Sequence, residues 1–310
     1  MLFGWTELVA GLILLVLGGD FLVQSSIRIA TYLRVSPMVV GLTIVSFGTS
    51  FPELVVSVNA ALSGHADISM GNVVGSNIAN LALVLGITAI IKPMFLTRNN
   101  LILDWPLMLL VSAGLILVSY DGKIVFYEGV ILLIGLIGYN LLTMKLGRKE
   151  SMEEYESSSK PMLSNVLRSL LILIASLATL IFGANILIDG AVTIAEGVGV
   201  SERVIAVTII AFGTSMPELA TSLIAIRKNE IGLSLGNLIG SNVFNILAIL
   251  GVTSTLTEVG VSQQILGFDM YWLIGIPLLV YPLLIWKQRV QRWIGLVLLA
   301  SYISYIVLVF

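Results

Sequence analysis

Residues 41–90 of this chain recur without a gap at 206–255, an offset of 165, with 21 identities in 50 positions, against about five expected from so biased a composition. One shared core is Thr-Ile-Val-Ser-Phe-Gly-Thr-Ser-Phe-Pro-Glu at 43–53 and Thr-Ile-Ile-Ala-Phe-Gly-Thr-Ser-Met-Pro-Glu at 208–218. The other is Gly-Asn-Val-Val-Gly-Ser-Asn-Ile-Ala-Asn at 71–80 and Gly-Asn-Leu-Ile-Gly-Ser-Asn-Val-Phe-Asn at 236–245. Upstream, the same offset pairs Gly18 with Gly183, Leu22 with Leu187, Ala30 with Ala195, and Val35-Ser36 with Val200-Ser201. The chain is two copies of one unit, which restricts it to folds that such copies assemble.

The surroundings of these motifs are apolar. With 57% hydrophobic and 11% charged residues and a mean hydropathy of +1.04, the chain is far from a soluble domain, where about a quarter of residues are charged. Runs such as Leu8–Leu17, Leu107–Val118 and Trp293–Phe310 approach the roughly 20 residues that cross hydrocarbon. The expected fold is an all-α polytopic membrane protein with ten transmembrane helices. The spans fall at 5–26, 37–62, 69–91, 101–119, 124–144, 163–188, 203–226, 231–256, 270–286 and 293–309. Net charge of -2 points to no nucleic-acid partner, and zero cysteines exclude disulfides, thiol catalysis and zinc–thiolate sites. The opening Met-Leu-Phe-Gly-Trp-Thr-Glu has no basic stretch of the kind that begins a cleaved signal peptide.

Basic residues sort sharply between alternate loops. Arg28, Arg34, Lys92, Arg98, Lys145, Arg148, Lys149, Lys160, Arg168, Arg227, Lys228, Lys287, Arg289 and Arg292 fall on one side, leaving Lys123 and Arg203 on the other. The positive-inside rule then places the first set in the cytoplasm of a multi-pass protein of the cell membrane, with both termini outside. The mixed-charge stretch 145–162 reads as a solvated cytoplasmic linker. Five spans precede it and five follow, and five is odd, so the second copy runs upside down relative to the first. The expected organisation is a first inverted repeat at 1–147, a linker at 148–162 and a second repeat at 163–310, the plan of many secondary transporters.

Glu53 and Glu218 lie within apolar segments, each directly after a proline. A carboxylate at mid-span costs at least about 2.5–3.5 kcal/mol, and no Lys or Arg was expected at mid-span to offset it. Each glutamate therefore stays protonated or holds a cation from solution. One such residue alone leaves those readings even; a repeated pair inside repeated polar motifs favours a cation. The proline also removes a helical N–H and bends the chain, with the glycine four residues earlier expected to tolerate the bend, so spans 2 and 7 should be interrupted and some carbonyls freed. The Gly, Asn and Ser content of spans 3 and 8 suggests interruption there too. Ser76 with Asn80 and Ser241 with Asn245 are four apart, on one helix face. Two glutamates and the amide oxygens of Asn80 and Asn245 supply six donors before any carbonyl or water, within the 6–8 oxygens that Ca²⁺ takes. Hydroxyls and freed carbonyls suit Na⁺. The lone His65 beside Asp67 reads as a loop residue, and Asp20, Asp104, Asp189 and Asp269 as interfacial.

The two Gly-Thr-Ser-x-Pro-Glu segments, each followed by Gly-Asn-x-x-Gly-Ser-Asn-x-x-Asn, resemble the α1 and α2 repeats of the cation/calcium exchanger superfamily, most of all its short prokaryotic sodium/calcium exchangers. The likeness covers essentially the whole chain. It implies a secondary antiporter, not an enzyme, that exchanges Ca²⁺ for several Na⁺ by alternating access, needing no organic cofactor and no obligatory oligomer. By position it implies a central site of Glu53, Glu218, Asn80 and Asn245. Around it would lie backbone oxygens of Thr49, Thr214, Ser46 and Ala211, and hydroxyls of Ser50, Ser76, Ser215 and Ser241. Spans 1 and 6 would be the gating elements. Some relatives have Asp where this chain has Asn245, so the site here carries two carboxylates rather than three. The rival is proton-coupled calcium exchange on the same glutamates. A cation channel and an intramembrane hydrolase fit less well, the first because of the inverted repeat, the second for want of a Ser–His pair.

Overall fold

A computed structural model describes residues 2–151, 163–198 and 211–309. The described chain is almost wholly helical: α1 Leu2–Leu33, α2 Pro37–Thr49, α3 Phe51–Leu62, α4 Ala66–Ile91, α5 Asn100–Val118, α6 Phe126–Ser151, α7 Leu163–Gly197, α8 Ala211–Thr214, α9 Met216–Arg227, α10 Ile231–Leu256, α11 Ile265–Lys287 and α12 Arg292–Val309. Among the described residues, eight helices are long and apolar enough to cross a membrane, and the bent pair α2–α3 makes a ninth. The chain is thus an all-helical polytopic membrane protein. Part of the expected seventh span, 203–226, and most of the expected linker, 148–162, fall outside the described residues, leaving α8 and α9 to represent that span.

The proline breaks appear where the sequence puts them. Ser50 (φ -84°, ψ 3°) separates α2 from α3, with a bend of 43°. Ser215 (φ -88°, ψ 6°) does the same between α8 and α9. Each proline then occupies the first turn of the new helix, where its missing N–H costs nothing. The Gly48 and Gly213 carbonyls, four residues before Pro52 and Pro217, are the ones that lose a helical donor. Neither glycine serves the bend by its own dihedrals, since neither has a positive φ. Both instead make room: a methyl at Gly48 would run into Leu177 of α7, and one at Gly213 into Ile188 of the same helix.

Spans 3 and 8 are interrupted differently. Neither contains proline, and both α4 and α10 run continuously, each carrying a π-helical stretch, Ala79–Val84 and Asn245–Leu250. A π turn widens the helix and shifts its hydrogen-bond register without severing it. Further π stretches lie at Gly41–Val45, and at Asn100–Asp104 and Ile265–Asp269, the last two separated by the repeat offset.

The described chain forms two compact units. The first comprises Met1–Thr49 and Met144–Gly236. Within it α1 and α7 pack antiparallel at very short range. A methyl at Gly4 would lie 3.0 Å from the Gly190 carbonyl oxygen, one at Gly11 2.7 Å from that of Gly183, and one at Gly18 3.1 Å from that of Ser176. Small residues seven apart on both helices thus set the contact, as membrane helices require for close approach. Leu15, Leu22, Val23, Val40, Leu180 and Ala225 form the apolar core of this unit. Asp20 pairs with Lys228 at 2.6 Å and accepts from Gln24.

The second unit comprises Ser50–Thr143 and Asn237–Phe310. Here α4 packs against α12 where Gly86 and Gly295 face each other, a methyl at Gly295 falling 2.6 Å from the Gly86 carbonyl oxygen. Two short antiparallel ribbons tie the loops. Strand β1 (Met94–Phe95) pairs with β4 (Arg289–Val290), and β2 (Lys123–Ile124) with β3 (Val259–Gly260). Each ribbon joins one loop from each half, which holds loops 3–4 and 9–10 at one end of this helix bundle, and loops 4–5 and 8–9 together as well. Asp104, near the start of α5, is buried and accepts 2.9 Å from Asn100 Nδ2. Asp269 is half-buried and accepts 2.9 Å from the Tyr305 hydroxyl. Both sit in π turns, and each is held by a polar side chain. Asp189 is exposed.

Candidate cation site

The expected ligands divide between the units. In the first, Ser46 and Thr49 end α2, Ser215 lies at the break, and Glu218 stands in the first turn of α9; all four are buried, and α9 packs against residues 46–49. Thr214 is half-buried, and Ala211 opens α8. In the second unit, Ser50, Glu53, Ser76, Asn80, Ser241 and Asn245 are all buried, on α3, α4 and α10 or at the start of α3. The second-unit helices pack together, α3 and α4 both touching the π stretch that begins at Asn245.

Both glutamates lie in the first turn of a twelve-residue helix, with relative exposures of 1% for Glu53 and 0% for Glu218. The helix amino end is the positive pole of the backbone dipole and favours a carboxylate there. The proline therefore does two things, opening the helix and setting the glutamate at the new amino terminus.

Amide side chains fill the second unit's interior. Asn72 Nδ2 donates to the Glu53 carbonyl at 3.2 Å and to Ser57 Oγ at 2.9 Å, strapping α4 to α3 beside the glutamate. Asn77 Nδ2 donates to the Asn242 carbonyl at 3.1 Å, and Asn245 Nδ2 donates to Asn77 Oδ1 at 3.0 Å. Asn242 Nδ2 reaches Met108 Sδ at 3.6 Å. After these bonds the side-chain oxygens of Asn80, Asn242 and Asn245, and the hydroxyls of Ser50 and Ser215, remain buried without a hydrogen-bond partner. Buried acceptors are normally satisfied, and the second unit alone leaves four such oxygens open, on Ser50, Asn80, Asn242 and Asn245. Among the described residues no three of His, Cys, Asp and Glu cluster as a metal site would.

Asn77, Asn242, Asn72 and Ser57 did not figure among the expected site residues. The signal was present, because Asn77 and Asn242, Asn72 and Asn237, and Ser57 and Ser222 are identical at the repeat offset. Counting oxygens alone passes over residues that orient ligands.

Three comparisons bear on this geometry. A family model described as sodium/calcium exchanger protein matches residues 3–145 and 168–310. The sodium/calcium exchanger MaX1 of Methanosarcina acetivorans is 32% identical over 98% of this chain and 97% of its own length. An uncharacterized membrane protein of Methanocaldococcus jannaschii, MJ0091, is 39% identical over 94% of this chain and 93% of its own. Among solved structures, one of the sodium-calcium exchanger NCX_Mj superposes with a TM-score of 0.86 at 36% identity, covering 100% of this chain and 99% of that one.

Proposed function

The chain belongs to the sodium/calcium exchanger protein family, and from that membership we propose a secondary antiporter that moves Ca²⁺ against Na⁺ by alternating access. The observation that carries the reading is the pair Asn80 and Asn245, repeat-related, fully buried, each with a side-chain oxygen that no donor satisfies.

The proposed donors are Glu53, Glu218, Asn80 and Asn245 for calcium. The hydroxyls of Ser50, Ser76, Ser215 and Ser241 and the backbone oxygens of Ser46, Thr49, Ala211 and Thr214 serve sodium. Two carboxylates balance one Ca²⁺, and its flexible shell of 6–8 oxygens tolerates the mixed donor set. Calcium and several sodium ions then compete for overlapping oxygens. Either occupancy masks the buried charge, whereas an empty, doubly charged site is costly to carry through hydrocarbon. The proposal includes two inverted repeats, 1–147 and 163–310, with the linker cytoplasmic and the termini outside. The basic asymmetry of the loops supports that orientation.

Proteoliposomes loaded with sodium and diluted into sodium-free medium at equal pH should accumulate ⁴⁵Ca²⁺. Uptake driven by a pH gradient with sodium absent would overturn sodium coupling and leave protons as the counter-ion. Asn245→Asp should tighten calcium binding several-fold by adding a ligand charge, read as a lower half-saturating calcium concentration; unchanged or weaker binding would remove Asn245 from the ligand set.

A further inference from the structure

We infer that Asn77 is the positioning residue that decides which atom of Asn245 faces the cation, an inference that rests on the proposed site and deepens it. The amide orientations are fixed from one end of the chain of bonds, which is a backbone carbonyl. The Asn242 carbonyl can only accept, so Asn77 must turn its Nδ2 toward it, at 3.1 Å. That leaves Asn77 Oδ1, an acceptor, facing Asn245, which must present its own Nδ2, at 3.0 Å. The Asn245 oxygen is thereby driven to the far side, where it is buried and unpaired. Without the relay, Asn245 is free to turn an N–H₂ group toward a cation, which repels it. The mirrored relay is not made: Asn242, the repeat partner of Asn77, gives its Nδ2 to Met108 instead. Orientation is therefore imposed on one of the two asparagines only. A carboxylate presents oxygen whichever way it turns, so an amide in its place needs an orienting partner that a carboxylate does not.

Asn77→Leu should raise the half-saturating calcium concentration at least about tenfold, as loss of an orienting partner does at metal sites, while the maximal exchange rate falls far less. In the Asn245→Asp background the same change should cost under about threefold. Equal costs in both backgrounds would mean a merely structural role and would overturn the relay. If Asn77→Leu and Asn245→Asp both leave calcium dependence unchanged while Glu53→Gln abolishes exchange, Asn245 is not a ligand and the relay falls while the antiporter reading stands.

A separate observation assigns a lipid site. The β1–β4 ribbon brings loops 92–99 and 287–292 together, closed by the Leu96 N–H donating to the Gln288 carbonyl at 3.0 Å. Beside it lies an open cavity of about 350 Å³ whose walls are Leu96, Leu101, Ile102, Tyr281 and Ile285, with Arg98 at the rim. Tyr281 spends its hydroxyl on the Leu101 carbonyl at 2.8 Å, which leaves Arg98 as the charged handle. Among the described residues no carboxylate lies within 4.0 Å of Arg98, Lys287, Arg289 or Arg292. The other ribbon differs, because there Lys123 meets Glu258 at 3.3 Å and the charges cancel. Basic pockets between membrane helices at one interface take anionic head groups. We propose that this pocket holds an anionic phospholipid, its phosphate on Arg98 and one acyl chain along the Ile102 and Ile285 wall.

In native mass spectrometry of protein equilibrated with mixed phosphatidylglycerol and phosphatidylcholine, the wild type should retain phosphatidylglycerol preferentially. Arg98→Gln should lower that retention at least about fivefold, Lys123→Gln should leave it unchanged, and added inorganic phosphate should not displace the lipid. Equal retention of both lipids, equal retention by Arg98→Gln, or displacement by phosphate would each overturn the site.

Discussion

Glu53→Gln and Glu218→Gln each lower sodium-driven ⁴⁵Ca²⁺ uptake by roughly a hundredfold or more, since calcium affinity tracks the number of ligand charges, while the protein stays folded. Glutamine keeps the size of the side chain and one oxygen, and removes one of the two charges proposed to balance calcium. Both positions are buried in the first turn of a helix, so the change also lifts the cost of holding a charge inside a membrane protein. Thermal stability in detergent without added cations should therefore stay level or rise as transport disappears. That opposition separates a ligand from a structural glutamate, whose loss lowers stability and transport together. Uptake at the wild-type rate in both variants would refute the site.

The second large effect concerns a glycine. Gly236→Ala is expected to destabilise the protein by about 2–3 kcal/mol, the cost of forcing atoms into a packed interior. A methyl there would collide with the Met38 carbonyl oxygen and lie 3.0 Å from the Leu42 nitrogen. Backbone cannot step aside as a side-chain tip can. Its repeat partner Gly71 has nothing within 4 Å of where a methyl would sit, so Gly71→Ala should leave the melting temperature within a degree or two. If both changes cost the same, α2 and α10 do not approach as described.

Much of this fold was legible in the residues. The breaks at Ser50 and Ser215 follow from Pro52 and Pro217, because a missing N–H is a local fact that sequence states outright. Helix ends were read within a few residues for α3, α4, α5 and α10, where Gly, Ser or charged residues bound the apolar runs. The start of α11 was missed by five residues, since the π stretch Ile265–Asp269 carries no local mark. The bonding of Asp104 was out of reach for a related reason. Its place near a span end suggests an interface, and only the packing of Asn100 against it reveals a buried, bonded carboxylate. At the proposed site, the oxygens offered to a cation can be named from the motifs. The amides that aim them could not, because Asn77 finds Asn242 and Asn245 across more than half the chain.

The glycine seam between α1 and α7 carries a mechanical corollary. Main chain comes close to main chain at Gly4, Gly11, Gly18, Gly183 and Gly190, with Leu14, Leu180 and Ile194 packed beside those points, so little slack is left to absorb a push. A thrust on one helix is therefore expected to move the other with it, the pair behaving as a double-barrelled strut.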